Sequence, residues 1–310
     1  MSDRRKALAW EARWSMPTAI ATFAAIALLI IAVVVATSFG GGGEAESLAK
    51  IDQHGGSVTL ASLLQGLGFL LFAVPLVFLF RAALLRSERM RSQFLPLVVV
   101  APLALAAGAV INGVAAKEAA SDFTAGKSKA SLSVKEATRE CHSEQKEDAS
   151  GFRDEFGKGA TAMSSCVGEK RENDAATNAI EDSSLRSASK VIELVGGLAL
   201  AFALAYCSLH ALRTGLLTRF WGSLGIALGI AVLLGLLPVA LFWFAYVGLL
   251  AAGWLPGGRP PAWAAGEAIP WPSPGEKAAT ELSPPADPAD GNAPSPAEEK
   301  EDPTDTGQSR

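Results

Sequence analysis

The chain has 310 residues, of which 50% are hydrophobic and 19% charged, with a formal net charge of −4. A soluble domain carries nearer a quarter charged residues, and here the apolar residues collect into long runs almost free of charge. That composition excludes a single water-soluble globule, a basic nucleic-acid-binding protein and a disulfide-dense secreted module. It points to an all-α, polytopic helical membrane bundle.

Residues 1–16 form a basic N-terminal segment with Arg4, Arg5, Lys6 and Arg13. A hydrocarbon core about 30 Å thick needs roughly 20 apolar helical residues. Runs of that length lie at 17–39, 58–80 and 94–116, so 17–116 reads as transmembrane helices one to three. The first run is too long for a signal-peptide core and lacks a small-x-small cleavage site, so it reads as an uncleaved span. Gly40 to Gly43 follow it as a flexible connector.

Residues 117–190 change character. They hold 12 Lys or Arg and 14 Asp or Glu, with few large apolar side chains, so the segment has little to bury as an independent globule. Its Ala, Glu and Lys favour helix, and the expected form is helical extensions of spans three and four. From Glu172 to Gly196 there is no Gly or Pro, which predicts one continuous helix running into the fourth span.

Residues 191–255 supply the closing spans. The fourth is 191–212, and a second apolar stretch covers 220–255. As one helix that stretch would be about 54 Å long, more than tilt can hide in one crossing. Gly235-Leu236-Leu237-Pro238 offers a place to stop, because Pro cannot donate to the preceding turn. Two short spans, 220–236 and 239–255, make six transmembrane helices; five, with one long or broken final helix, is the alternative.

Orientation follows from basic residues in short loops. Arg4, Arg5, Lys6, Arg13, Arg81, Arg86, Arg89, Arg91, Arg213 and Arg219 fall on one side, against Lys50 on the other. The N-terminus is therefore expected in the cytoplasm of a cell whose plasma membrane holds the chain, with 117–190 extracytoplasmic. Residues 256–310 form a Pro/Trp-rich segment followed by a tail with nine acidic and three basic residues over 276–310, which reads as disordered.

Two stretches carry a likeness. Arg213-Thr-Gly-Leu-Leu-Thr-Arg-Phe-Trp-Gly-Ser-Leu-Gly225, and Pro260-Pro-Ala-Trp263 with Gly266-Glu-Ala-Ile-Pro-Trp271-Pro-Ser-Pro274, together resemble a bacterial multipass membrane family of unknown function. The resemblance spans about 182–275 and implies a pair of closing spans between the two segments. It implies no activity, cofactor or catalytic residue.

Candidate functional residues are few. Cys141 and Cys166 sit in the segment expected outside, where oxidising conditions allow a disulfide across a loop of about 25 residues. Gln65, Asn112, Glu193 and His210 are the notable polar residues in or near the spans, and such residues mark either helix–helix contacts or a solute path. Trp263 and Trp271 read as interfacial anchors along the headgroups. Cys207 reads as a small buried hydrophobe. Gly225 and Gly229 form a G-x-x-x-G, which favours close helix approach within the chain.

No phosphate-binding loop, nucleophile elbow, H-E-x-x-H or dinucleotide fingerprint occurs in the sequence. The expectation is a non-enzymatic integral membrane protein, scaffold- or sensor-like, without cofactor or metal. Its expected partners are the lipid bilayer and a protein met at 117–190 or at the tail, and no nucleic acid. A small-solute transporter or channel is the alternative.

Overall fold

A computed structural model describes residues 2–38, 43–148, 159–234 and 236–272. The regular elements described are all helical: α1 (Ser2–Thr37), α2 (Glu44–Gln53), α3 (Gly55–Leu71), α4 (Ala73–Leu84), α5 (Leu95–Thr124), α6 (Val134–Asp148), α7 (Gly159–Glu181), α8 (Ser184–Arg213), α9 (Arg219–Leu233), α10 (Leu237–Ala252) and α11 (Pro261–Ala265). By contact the chain divides into Met1–Pro270 and Trp271–Arg310. Of the second unit only Trp271 and Pro272 are described, so the expected disordered tail lies outside the described residues, as do most of the four-glycine run and Gly235.

The first unit is built as a closed circuit. α1 packs on α3, α3 on α5, α5 on α8, α8 on α9, α9 on α10 and α10 back on α1. α4 lies inside that circuit, touching α1, α5, α8 and α10. Leu76, Leu79, Phe80, Ala82 and Ala83 of α4 are all buried. The cause of this inward path is local. Pro75 lacks an N–H, and its ring crowds the carbonyl of Leu71 one turn earlier, so the helix is interrupted at Phe72 between α3 and α4. The expected second span lies within one apolar helical stretch, Gly55–Leu84, marked by a break at Phe72, with α4 its more buried half.

Small residues set the spacing of the wall. A Cβ on Gly229 would lie 2.6 Å from the Ala201 carbonyl oxygen, and one on Gly225 would strike Ser208, so the G-x-x-x-G of α9 lies directly on α8. Gly196 of α8 faces Ala104 and Leu105 of α5 in the same way. In the centre, Phe72 stacks on Phe244 with ring centroids 4.1 Å apart, and the Trp243 indole N–H donates to the Trp221 carbonyl at 3.1 Å.

One expectation about 117–190 is corrected. α5 does run on to Thr124, but the helix from Glu172 does not continue into the fourth span. It stops at Glu181, and Ser183, in an extended conformation, caps α8 by accepting from the Arg186 N–H. N-cap chemistry supplied the break that the absence of Gly and Pro concealed. The segment also finds a core beyond its own residues. The short loop after α1 folds as α2, whose Ala45 and Leu48 pack with Ala119 and Ala120 of α5 and Ala176 and Ala179 of α7. Alanine lets three helices approach closely, so a polar segment with few large side chains is still pinned.

The closing stretch folds as two helices, α9 and α10, of 15 and 16 residues, separated at Leu234–Leu236. The chain then returns: the Arg4 side chain donates to the Ala265 carbonyl, and Arg86 donates to the Ala262 carbonyl at 3.2 and 3.3 Å. The start of α1 and residues 262–265 therefore lie at one end of the bundle, the basic end.

Candidate functional site

Four polar residues stand out from the sequence as candidate site residues, and the fold separates them. Gln65 of α3 and Asn112 of α5 line one cleft of about 190 Å³, together with Ser62 and Arg186. Glu193 does not line it: its side chain packs on Gly108, where an added Cβ would lie 2.7 Å from the Glu193 Cγ. No ion pair joins Glu193 to Lys117 or Lys190, the partners its position suggests, among the described residues. His210 lies 24 residues along α8 from Arg186, about 36 Å at the helical rise. It is buried there, with Tyr206 4.5 Å away between ring centroids and no hydrogen bond to Nδ1. One site cannot contain all four.

Arg186 is the residue that sequence reading overlooked. It stands in the first turn of α8, placed by the Ser183 cap. Its Nη1 donates to Asn112 Oδ1 at 3.3 Å, while Nε is buried without a hydrogen-bond partner. The signal was present in the sequence: Arg186 stands five residues before the apolar run that begins at Val191. It was hidden because 117–190 carries so many other charges.

At the basic end a second cluster was not foreseen at all. Glu11 of α1 and Arg86, just after α4, form a two-pronged ion pair, with Arg86 Nη2 to Glu11 Oε2 at 2.9 Å; the side chains are 5% and 0% exposed. Arg86 also donates to the Ala82 carbonyl at 3.0 Å, so the guanidinium is fully partnered. Arg86 and Arg259 both approach the Trp263 ring, at 5.6 and 5.8 Å from its centroid, and the ring stacks on Phe78 at 5.7 Å.

Trp263 is therefore not laid along headgroups. It is 4% exposed, and its indole N–H donates to the Leu216 carbonyl at 2.9 Å in the turn between α8 and α9. Gly215 in that turn has φ +75°, and a Cβ there would strike the Ile269 carbonyl. The Ile269 N–H in turn donates to the Thr214 carbonyl at 3.2 Å. A segment rich in Pro and Trp is folded into the core because the turn offers it free carbonyls and Arg86 offers it a cation. Trp271, the other expected anchor, opens the second unit.

The third candidate is the lobe of α6 and α7. A disulfide joins Cys141 to Cys166, with Cα atoms 6.2 Å apart. Lys170 meets Glu140 at 3.4 Å across the same pair of helices. Asp174 accepts from the Leu132 N–H at 2.8 Å and from Ser131, fixing the entry to α6. These bonds hold the Asp174 carboxyl below its ordinary pKa, the backbone N–H of Leu132 first. Ser133 and Glu136 form a reciprocal capping box at the start of α6. The Ser133 bonds likewise lower the pKa of Glu136. Among the described residues no group of three His, Cys, Asp or Glu side chains converges as a metal site.

Four helices are long and apolar enough to cross a membrane: Arg4–Thr37, Gly55–Leu84, Ser92–Thr124 and Ser184–Arg213. They expose large apolar side chains such as Ile20, Val34, Leu60, Val100 and Leu194, which water would disfavour. The class is an all-helical protein with apolar helices compatible with a membrane. No protein-family model, curated protein or solved structure matches the chain.

Proposed function

We propose that this chain is a six-span integral membrane protein that acts by interaction, with the α6–α7 lobe as its outward contact surface. The observation that carries this reading is the stapled lobe. A disulfide, a capping box and an alanine seam hold two polar helices in place. The separation of Gln65 and Asn112 from Glu193 and His210 weighs against a solute path through the bundle.

The six-span topology draws on the return of the chain. Residues at both ends of the first unit meet at the basic end, which supports an even number of crossings. α9 and α10, about 22 and 24 Å long, supply the fifth and sixth. The positive-inside rule then puts the basic end in the cytoplasm and the lobe outside. The likeness of 182–275 to a multipass family with paired closing spans fits this arrangement.

Two measurements test the reading. An inside-fluorescent and an outside-active reporter, each fused after residue 275, are expected to place that point in the cytoplasm; an external signal overturns the six spans. A photo-reactive side chain in place of the exposed Arg139 is expected to give adducts of discrete mass in intact cells, lost on reducing the disulfide. Saturable solute flux in vesicles that survives replacing 131–170 by a short linker would sink the interaction model.

A further inference from the structure

The cleft beside α3, α5 and the first turn of α8 has a chemistry that the lobe does not use. Three donors converge on it. Arg186 carries a permanent charge, meets no carboxylate within 4 Å among the described residues, and keeps Nε buried without a partner. A guanidinium nitrogen held away from water costs free energy until an acceptor reaches it. Asn112 uses its side-chain oxygen to accept from Arg186, which leaves its NH₂ group to donate. Gln65, on the facing wall, adds a second amide with no protein partner among the described residues.

Apart from Ser62, whose hydroxyl donates to the Thr59 carbonyl, the remainder of the lining is apolar, from Ala36, Ile51, Val58 and Ala61 among others. α1 and α3 also present Val33, Val34, Leu60 and Leu63 outward close by. The Arg186 charge and two amide NH₂ donors, beside aliphatic walls, select an anion attached to something greasy.

We propose that this cleft binds an oxyanion, carboxylate or phosphate, borne on an apolar body. Arg186 is the charge partner, and the Asn112 and Gln65 amides are the neutral donors. A space of about 190 Å³ admits one head group and not a whole lipid, so an attached chain lies outside, along α1 and α3. Glu193, two turns further along α8, feels the Arg186 charge but makes no ion pair with it, its side chain packing on Gly108.

The test uses the full chain in nanodiscs of equal parts phosphatidylcholine and phosphatidylglycerol, read by mass spectrometry of the lipid retained. A parallel arm adds inorganic phosphate to protein in neutral detergent and reads the melting temperature. Retention of phosphatidylglycerol is expected to exceed that of phosphatidylcholine by about tenfold, which is about 1.4 kcal/mol. Arg186→Gln is expected to abolish the preference and Arg186→Lys to keep part of it. Asn112→Asp, which places a carboxylate beside Arg186 and keeps the helix contact, guards against loss of fold and is expected to abolish it as well. A phosphate-dependent rise in melting temperature, absent in Asn112→Asp and without lipid preference, supports the same oxyanion site with a soluble source. Equal lipid retention with no phosphate effect, or a preference that Asn112→Asp and Arg186→Gln both preserve, overturns the proposal.

Discussion

The two ends of the bundle are held together by opposite means. At the basic end, an ion pair is sealed from solvent under aromatic rings, and segments far apart in sequence meet on it. At the lobe end, the core is alanine, the ion pairs are exposed and a covalent bond closes the structure. A buried charge pair is costly to break but demands complementary partners from several elements. A staple with caps needs only local sequence. The first design fixes how the helices sit; the second lets a polar lobe hold its shape with almost nothing to bury.

Breaking the basic end should cost most. Arg86→Met leaves Glu11 buried without its partner and is expected to destabilise the whole bundle by about 3–5 kcal/mol, read as loss of folded protein in detergent melts. Glu11→Met combined with Arg86→Met should recover much of that loss, because two apolar side chains leave no orphaned charge. A double variant no better than Arg86→Met alone would contradict the account of Trp263 and Ala262 as packing around a charge pair.

The lobe should fail separately. Cys141→Ser with Cys166→Ser is expected to release roughly 3–4 kcal/mol of constraint on the chain-entropy view. The loss should be seen as faster amide exchange in α6 and α7, with the bundle helices unchanged. Exchange that rises equally in α3 and α5 would mean that the two ends are one cooperative unit.

Of these features, the sequence makes the apolar runs plain, because roughly 20 uncharged residues have few other uses. The Cys141–Cys166 pairing is also suggested by their spacing and their setting. Glu11 and Arg86 are not readable in this way. Each looks like an ordinary charge in a basic stretch, and their meeting depends on α4 packing against α1 in the core. Trp263 misleads for a related reason: composition marks it as a surface anchor, and only the folded turn at Leu216 supplies its acceptor. The Ser183 cap and the capping box at Ser133 and Glu136 were legible as local chemistry, yet helix-forming neighbours drowned them. α2 is amphipathic but short, and its partner face is built by residues from two distant helices.

Smaller effects sharpen the contrast. Ser133→Ala removes one half of the capping box and is expected to destabilise the start of α6 by about 1 kcal/mol, visible as fraying of its first turn and silent at the basic end. The smallest effect is that of pH. Because folding lowers the Asp174 pKa, the contribution of its bonds to Leu132 and Ser131 is present above the ordinary aspartate range and is lost as pH falls through the lowered value. Exchange protection at the Leu132 amide should therefore hold from pH 7 to 5 and decline below about pH 4. Asp174→Asn should flatten that decline.

The contact of Arg4 with Ala265 also carries a timetable. The two residues are 261 positions apart, and Glu11 precedes Arg86 by 75. At a synthesis rate of about 5–20 residues per second, Glu11 waits roughly 4–15 s for its counter-ion, and the circuit stays open for roughly 13–52 s. Throughout that interval the first helix has one flank uncovered, the flank that Gly248 and its neighbours in α10 later occupy. Assembly of this bundle is a matter of waiting for the last helix, and whatever shelters the seam of α1 in the meantime governs how much of the nascent chain reaches the finished form.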